Sequence, residues 1–227
     1  MLVERQSMAN ESFNGMSLRQ FTAVESIFRD CDFSNICMEQ ACFGGGRHQS
    51  LYVNCNFDGA KFDSIVPGDA RFEACSFRNV KIKAFNCISV ELINCIFSGV
   101  IKKGFFNGTP FGAHPPSRKS NEFRGNDFSG ASLLDVDFRT GIDLRLQRLP
   151  VGEDYIYVEG GAQFVRSLPS KDLIAKYGSH FNAIERILTE AVATGQQQIF
   201  LSIKGFPASR RPMLMGLKRL AEGMLLA

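Results

Sequence analysis

The chain has 227 residues, 44% of them hydrophobic and 22% charged, with a formal net charge of +3. It is long enough to bury a real core, and too nearly balanced for a dedicated nucleic-acid binder, which needs a strongly basic face. Residues 11–145 carry 15 basic and 15 acidic side chains and residues 146–227 carry 10 and 7, so the small excess lies in the tail. No run reaches the roughly 18 apolar residues that cross a bilayer, and Glu4 and Arg5 leave no leader-like apolar start. Seven cysteines, an odd number without an export signal, fit reduced thiols. The expectation is a cytoplasmic protein with no membrane contact.

From the N-terminus, the dominant feature is a large apolar residue at every fifth position. The beat runs Phe13, Leu18, Ala23, Phe28, Phe33, Met38, Phe43, then Tyr52, Phe57, Phe62, Pro67, Phe72, Phe77, Ile82, Cys87, Leu92, Phe97, and finally Phe123, Phe128, Leu133, Phe138. A step of five is neither the roughly 3.6 of a helix nor the roughly 2 of a strand. A fixed period of this kind marks a stacked solenoid. Two residues before each centre stand small or branched apolar residues such as Cys31, Ile36, Ala41, Cys55, Ala60, Cys75 and Cys95. The other positions are mostly polar or glycine, as in Asn126-Asp127-Phe128-Ser129-Gly130. One large and one small inward residue per five describes a narrow tube, and the Asp, Asn, Ser and Gly supply its turns.

These residues resemble the pentapeptide-repeat family, and Phe57-Asp58-Gly59-Ala60-Lys61-Phe62 and residues 126–139 fit its unit well. The resemblance covers about 11–145, with Ala23, Pro67 and Cys87 departing from a large centre. It implies a mainly β fold, a right-handed quadrilateral β-helix with four pentads per coil. Residues twenty apart then stack at about 4.8 Å, the spacing of neighbouring strands. Three core ladders follow: Cys55, Cys75 and Cys95; Phe57, Phe77 and Phe97; and Tyr52, Phe72 and Leu92.

Two interruptions break the beat. The step from Phe43 to Tyr52 is nine residues and contains Gly44-Gly45-Gly46, which reads as one missing residue or a distorted corner. Between Phe97 and Phe123 the pentads lapse, and residues 103–120 read as a loop projecting from the tube. Long loops in compact folds are often functional, so His114, Arg118 and Lys119 are candidate interaction residues.

The first domain is expected to span 1–145, and an α-rich module 146–227 follows. Tyr155-Ile156-Tyr157-Val158 reads as a short strand. Ser179 reads as a helix N-cap, with Phe181, Ile184, Ile187, Leu188, Ala191 and Val192 on one face and Gly195 as the stop. Residues 199–203 read as a strand or a helical continuation. Pro212 suits the first turn of a last helix. Met213, Leu217, Leu220 and Met224 form its apolar stripe, a candidate homodimer contact beside the basic Arg210, Arg211, Lys218 and Arg219.

Reactive chemistry finds little purchase. Cys31, Cys37 and Cys42 lack a CxxC pair, and His48, His114 and His180 have no sequence neighbours that suggest a triad. No nucleotide-loop or hydrolase motif is present, so no cofactor, metal or catalytic residue is assigned. The first reading is a non-enzymatic protein-interaction scaffold with an unidentified protein partner. The resemblance implies an alternative, because some family members mimic duplex DNA, bind the topoisomerase DNA gyrase, protect it from fluoroquinolones and dimerise through a C-terminal helix. A neutral repeat tract departs from that polyanionic pattern. A third reading is a ligand-binding or enzymatic module using Tyr155, Tyr157 or His180.

Overall fold

Each pentad places one large side chain inward and then turns the chain, and the turning residue follows a rule. Two positions after the centre the backbone is left-handed at Asn10, Gly15, Asn35, Asn54, Gly59, Asn79, Asn94 and Gly125, and also at Arg5, Glu25, Asp30, Ala74, Lys103, Asp135 and Thr140. Asn and Gly enter that region at the least cost. Where the slot holds Gln20 or Gln40 the chain stays extended, and the strands Ser17–Val24 and Cys37–Gly45 run on around the corner. The computed structural model describes residues 1–112 and 115–224, and winds these pentads into a four-sided β-solenoid of about five turns.

Parallel pairing holds the turns in register. Met8, Phe28, Tyr52, Phe72, Leu92 and Phe123 form one ladder. Phe13, Phe33, Phe57, Phe77, Phe97 and Phe128 form another, with stacked rings 4.6, 4.7, 4.7, 4.8 and 4.5 Å apart in turn. Leu18, Met38, Phe62, Ile82, Ile101 and Leu133 line the third wall. Nearly all of these side chains are buried, and each buried Phe stabilises the fold by about 1.5–3 kcal/mol.

Three details of the beat differ from the sequence reading. It begins earlier, at Val3 and Met8, since Leu2–Glu4 and Ser7–Ala9 already pair with the next coil. The long step after Phe43 is an insertion, because Phe28 pairs with Tyr52 at a separation of 24 where the regular coil needs 20. The extra residues form the corner at 44–49. There Gly44 and Gly68 bridge so closely that a Cβ on either would overlap the opposite backbone. Nor does the beat lapse at Phe97. A register shift between Phe97 and Gly99 shortens one step, and Ile101 and Phe106 complete the wall within the strand Ile96–Asn107. The loop therefore starts at residue 108, after the strand that occupies 103–107.

The Glu25 carboxylate closes the 44–49 corner, accepting from the Arg47 N–H at 2.9 Å and pairing with Arg5 at 3.0 Å. The Arg47 amide, then Arg5, lowers its pKa to about 2.

Beyond the last coil lie helices α1 (Gly161–Ser167), α2 (Ser170–Tyr177), α3 (Ser179–Ala193) and α4 (Arg211–Met224). An antiparallel pair, Tyr155–Val158 with Ile199–Ser202, sits between the helices and the solenoid. Its alternation sorts the two faces. Tyr155, Tyr157 and Phe200 join the solenoid core, whereas Ile156, Val158, Ile199 and Leu201 join the helical one. Phe200 meets Phe138 edge-on at 6.0 Å and stacks on Tyr155 at 5.4 Å. Gln196 accepts from Gly141 N–H at 3.2 Å and donates to the Ile142 carbonyl at 2.8 Å, and Gln198 accepts from Leu144 N–H at 3.0 Å. The module thus covers the edge that stacked strands otherwise expose.

Gly178, with φ of 54°, occupies the N-cap of α3, and Ser179 is its first residue. The stripe on α4 also needs correction as a dimer contact. Met213 and Leu217 are buried with Leu214 and Ala221 in the module's own core, so a second copy cannot reach them. Leu220 is exposed, and the Met224 sulfur accepts from the Ser167 hydroxyl at 3.4 Å. No helix among the described residues is long and apolar enough to cross a membrane.

Two outcomes follow. Phe77→Ala is expected to lower stability by about 3–5 kcal/mol in urea denaturation; a loss below about 1 kcal/mol would mean that the stack does not carry the fold. Unfolded Glu25 takes its proton near 4.5 and the folded carboxylate keeps its charge down to about 2. Its stabilisation is therefore complete above the first value and fades as pH falls through the second. Glu25→Gln should melt below the parent at neutral pH, with the gap closing in acid. A gap independent of pH would rule out the charge.

Candidate interaction surface and cleft

The stacked thiols belong to the framework. Cys55, Cys75 and Cys95 donate to the carbonyls of Phe28, Tyr52 and Phe72 at 3.5, 3.3 and 3.5 Å. Burial pushes the Cys75 and Cys87 thiols up, and hydrogen bonding with Cys75 followed by burial raises Cys55. Protonated buried thiols are inert, and all seven cysteines are free. Tyr52, in the ladder with Phe72 and Leu92, donates its hydroxyl to the Phe43 carbonyl at 3.0 Å. Among the described residues no group of three or more His, Cys, Asp or Glu is placed to hold a metal.

The loop at 108–122 is braced at both ends. Near its start the Thr109 N–H donates to the Thr140 hydroxyl at 2.9 Å. Near its end Arg118 pairs with Asp69 at 2.8 Å, donates to the Ser89 carbonyl at 2.6 Å and to the Asn121 side chain at 3.0 Å. Glu91, almost fully buried, lies 3.6 Å from Arg118 and 3.3 Å from Arg71, and accepts from Gln49 at 2.9 Å and from the Glu122 N–H at 3.1 Å. Asn121 donates to the carbonyls of Ile88 and Asn107 at 2.9 and 2.8 Å. Arg71 and Arg124 hold the Glu122 carboxyl below the ordinary carboxylate range.

The three loop residues singled out in the sequence have different fates. Arg118 is engaged inside the chain, Lys119 is exposed, and His114 lies outside the described residues. The residue that sequence reasoning passed over is Phe111, 54% exposed on the braced loop. Breaking the beat hid it, since no period assigned it a side.

Between the last coils and α3 lies a cavity of about 280 Å³. Phe138, Phe200, Ile187, Leu188 and Leu201 make its apolar wall, and Phe111 and Thr194 also line it. Asn107 lines it too, 1% exposed, and neither amide atom has a partner among the described residues. A buried polar group left unpaired costs about 1–3 kcal/mol. Arg139 pairs with Asp137 at 2.5 Å and lies 4.6 Å over the Phe105 ring. Tyr155, Tyr157 and His180 do not line this cavity. Tyr155 and Tyr157 pack on the solenoid end, the Tyr157 hydroxyl donating to Glu159 at 2.6 Å, and His180 is exposed at the start of α3. The structure does not gather those three into one site.

Most carboxylates of the repeat tract are compensated. Glu25, Asp58, Asp63, Asp69, Glu73, Glu91, Glu122, Asp127, Asp137 and Asp143 each pair with an Arg or Lys. Glu11, Asp30, Asp32, Glu39 and Asp135 are the tract's acids without such a partner among the described residues.

No family model and no curated protein matches the chain. Among solved structures it is similar to full-length QnrB1, a plasmid-mediated fluoroquinolone resistance protein, at 15% identity over 66% of this chain and 82% of that one, with a TM-score of 0.23. A trypsin-treated form of the same protein aligns at 15% identity over 66% and 77%, with a TM-score of 0.20. Scores at this level lend no weight to any shared property, and the fold of this chain stands on its own ladders.

Arg118→Met removes the brace while keeping much of the stem. We expect a loss of about 2 kcal/mol, discounted because the group is not fully buried, and faster limited proteolysis within 108–122. Cleavage at the parent rate would show that the loop is held by other contacts.

Proposed function

We propose that the chain is a non-enzymatic protein-interaction scaffold, in which the solenoid and its C-terminal module hold a braced loop out to a protein partner. The observation that carries this reading is Phe111, a large aromatic ring more than half exposed on a loop fixed through Arg118, Asn121 and Thr109. Aromatic anchors dominate interface energetics. An anchor that is already positioned gives up less conformational freedom when it docks. The second candidate role, topoisomerase binding by imitation of a duplex, requires a continuous run of unpaired carboxylates. The pairing of Asp69, Glu91, Glu122, Asp127 and Asp137 with cations does not favour it.

A photo-crosslinking phenylalanine analogue placed at position 111 in the native host should trap a discrete protein. With that protein purified, Phe111→Ala is expected to weaken binding by about tenfold or more, the cost of losing an interface anchor, while leaving the melting temperature unchanged. Equal affinity for the parent and the variant would remove Phe111, and the loop with it, from the interface.

A further inference from the structure

We propose that the third wall of the solenoid docks an acidic segment of a protein partner, whose carboxylates meet Lys61, Lys81 and Lys102. This rests on the reading of the chain as a protein-interaction scaffold and adds a second surface to the one that carries Phe111. Five of the six lysines in residues 11–145 lie on this wall and its corner, at Lys61, Lys81, Lys83, Lys102 and Lys103, and all five are exposed. Strand pairing fixes their columns. Lys61 stands beside Lys81, and the register that sets Ile82 against Ile101 and Phe85 against Gly104 sets Lys83 against Lys102. Lys103 turns the corner, with Asp135 beside it in the next coil. Among the described residues only Lys83 of the five has an ion-pair partner, Asp63 at 2.6 Å.

Like charges side by side on neighbouring strands are unfavourable. Elsewhere successive coils set opposite charges together, as Arg5 meets Glu25, Asp58 meets Arg78 and Asp127 meets Arg148. Where like charges do meet, at Glu91 and Glu122, Arg71 bridges them. No carboxylate among the described residues bridges Lys61 to Lys81 or Lys83 to Lys102. The wall thus holds a repulsion that an acidic partner relieves.

Spacing and sign choose the class of partner. Lys81 and Lys83 project from one strand about 6.6 Å apart, the repeat of alternate side chains along any extended segment, and successive coils add rows about 4.8 Å apart. Val100, 38% exposed, lies next to Lys81 and offers an apolar contact between the charges. Glu39 and Asp63 occupy the same column as Lys83 and Lys102 on the two preceding coils, so the wall changes sign along its length. A nucleic-acid backbone or an anionic bilayer is uniformly negative and is repelled where those carboxylates stand. A peptide can set neutral or basic residues opposite them. Nor do the outward residues of this wall include an aromatic ring on which a base could stack.

The test uses the full chain with a fluorescent peptide of alternating Glu and Ala as the probe. Anisotropy at low salt should show saturable binding that added salt weakens. Lys81→Gln combined with Lys102→Gln is expected to weaken it by about fivefold or more, without lowering the melting temperature. Lys171→Gln combined with Lys176→Gln removes the same charge from α2 and should leave the affinity unchanged. Phe111→Ala should leave it unchanged too, which keeps failure of the loop reading distinct from failure of this one. Absence of peptide binding, an equal loss in the α2 pair, a loss in Phe111→Ala, or tighter binding of duplex DNA or phosphatidylserine vesicles than of the peptide would overturn the proposal.

Discussion

Everything in this molecule depends on register between successive coils. The Phe57 ring lies on Phe77 at 4.7 Å, and Phe77 lies on Phe97 at 4.8 Å. That is possible only if each circuit returns the chain to the same wall. An error of one residue would turn a buried ring toward solvent. The chain nevertheless tolerates changes of length, and it confines them to corners. The insertion at 44–49, the shortened step at Phe97 to Gly99 and the loop at 108–122 all leave the ladders on either side aligned. Loop closure costs grow slowly with length, whereas losing a stacked aromatic forfeits burial and ring contact together.

A stack of parallel strands has ends, and the C-terminal end shows how one is covered. The pair Tyr155–Val158 and Ile199–Ser202 works as a two-sided seal, aromatic toward the coil and aliphatic toward the helices. Gln196 and Gln198 then meet backbone groups at Gly141, Ile142 and Leu144 that the coil itself leaves open. Apolar side chains cover the core there, and side-chain amides satisfy the backbone.

The beat was legible in the sequence wherever its centres were aromatic and its step constant. Phe57, Phe77 and Phe97 announce a common wall because no other arrangement repeats so large a residue at one coil's length. Val3, Met8, Ile101 and Phe106 were invisible for the opposite reasons, being aliphatic or standing after an irregular step. Tyr155 and Tyr157 looked like chemistry because Tyr carries a polar atom, yet their rings pack on the coil. The stripe Met213, Leu217, Leu220 and Met224 was legible as apolar, but periodicity does not say what covers a stripe. Pairing between Asp69 and Arg118, 49 residues apart, leaves no local trace at all. The charge network around the loop was therefore beyond any reading by pattern.

The same geometry explains why the loop lies where the beat breaks. On a regular wall every outward side chain has a neighbour one coil above and one below, and the face is flat. Where the strand Ile96–Asn107 ends, the chain leaves the wall for 108–122 before the next rung begins at Phe123. Asn107 still has Arg139 beside it in the following coil, but α3 and the Phe200 strand close over it. The Asn107 side chain is thus buried, and an aromatic one, Phe111, is more than half exposed a few residues later.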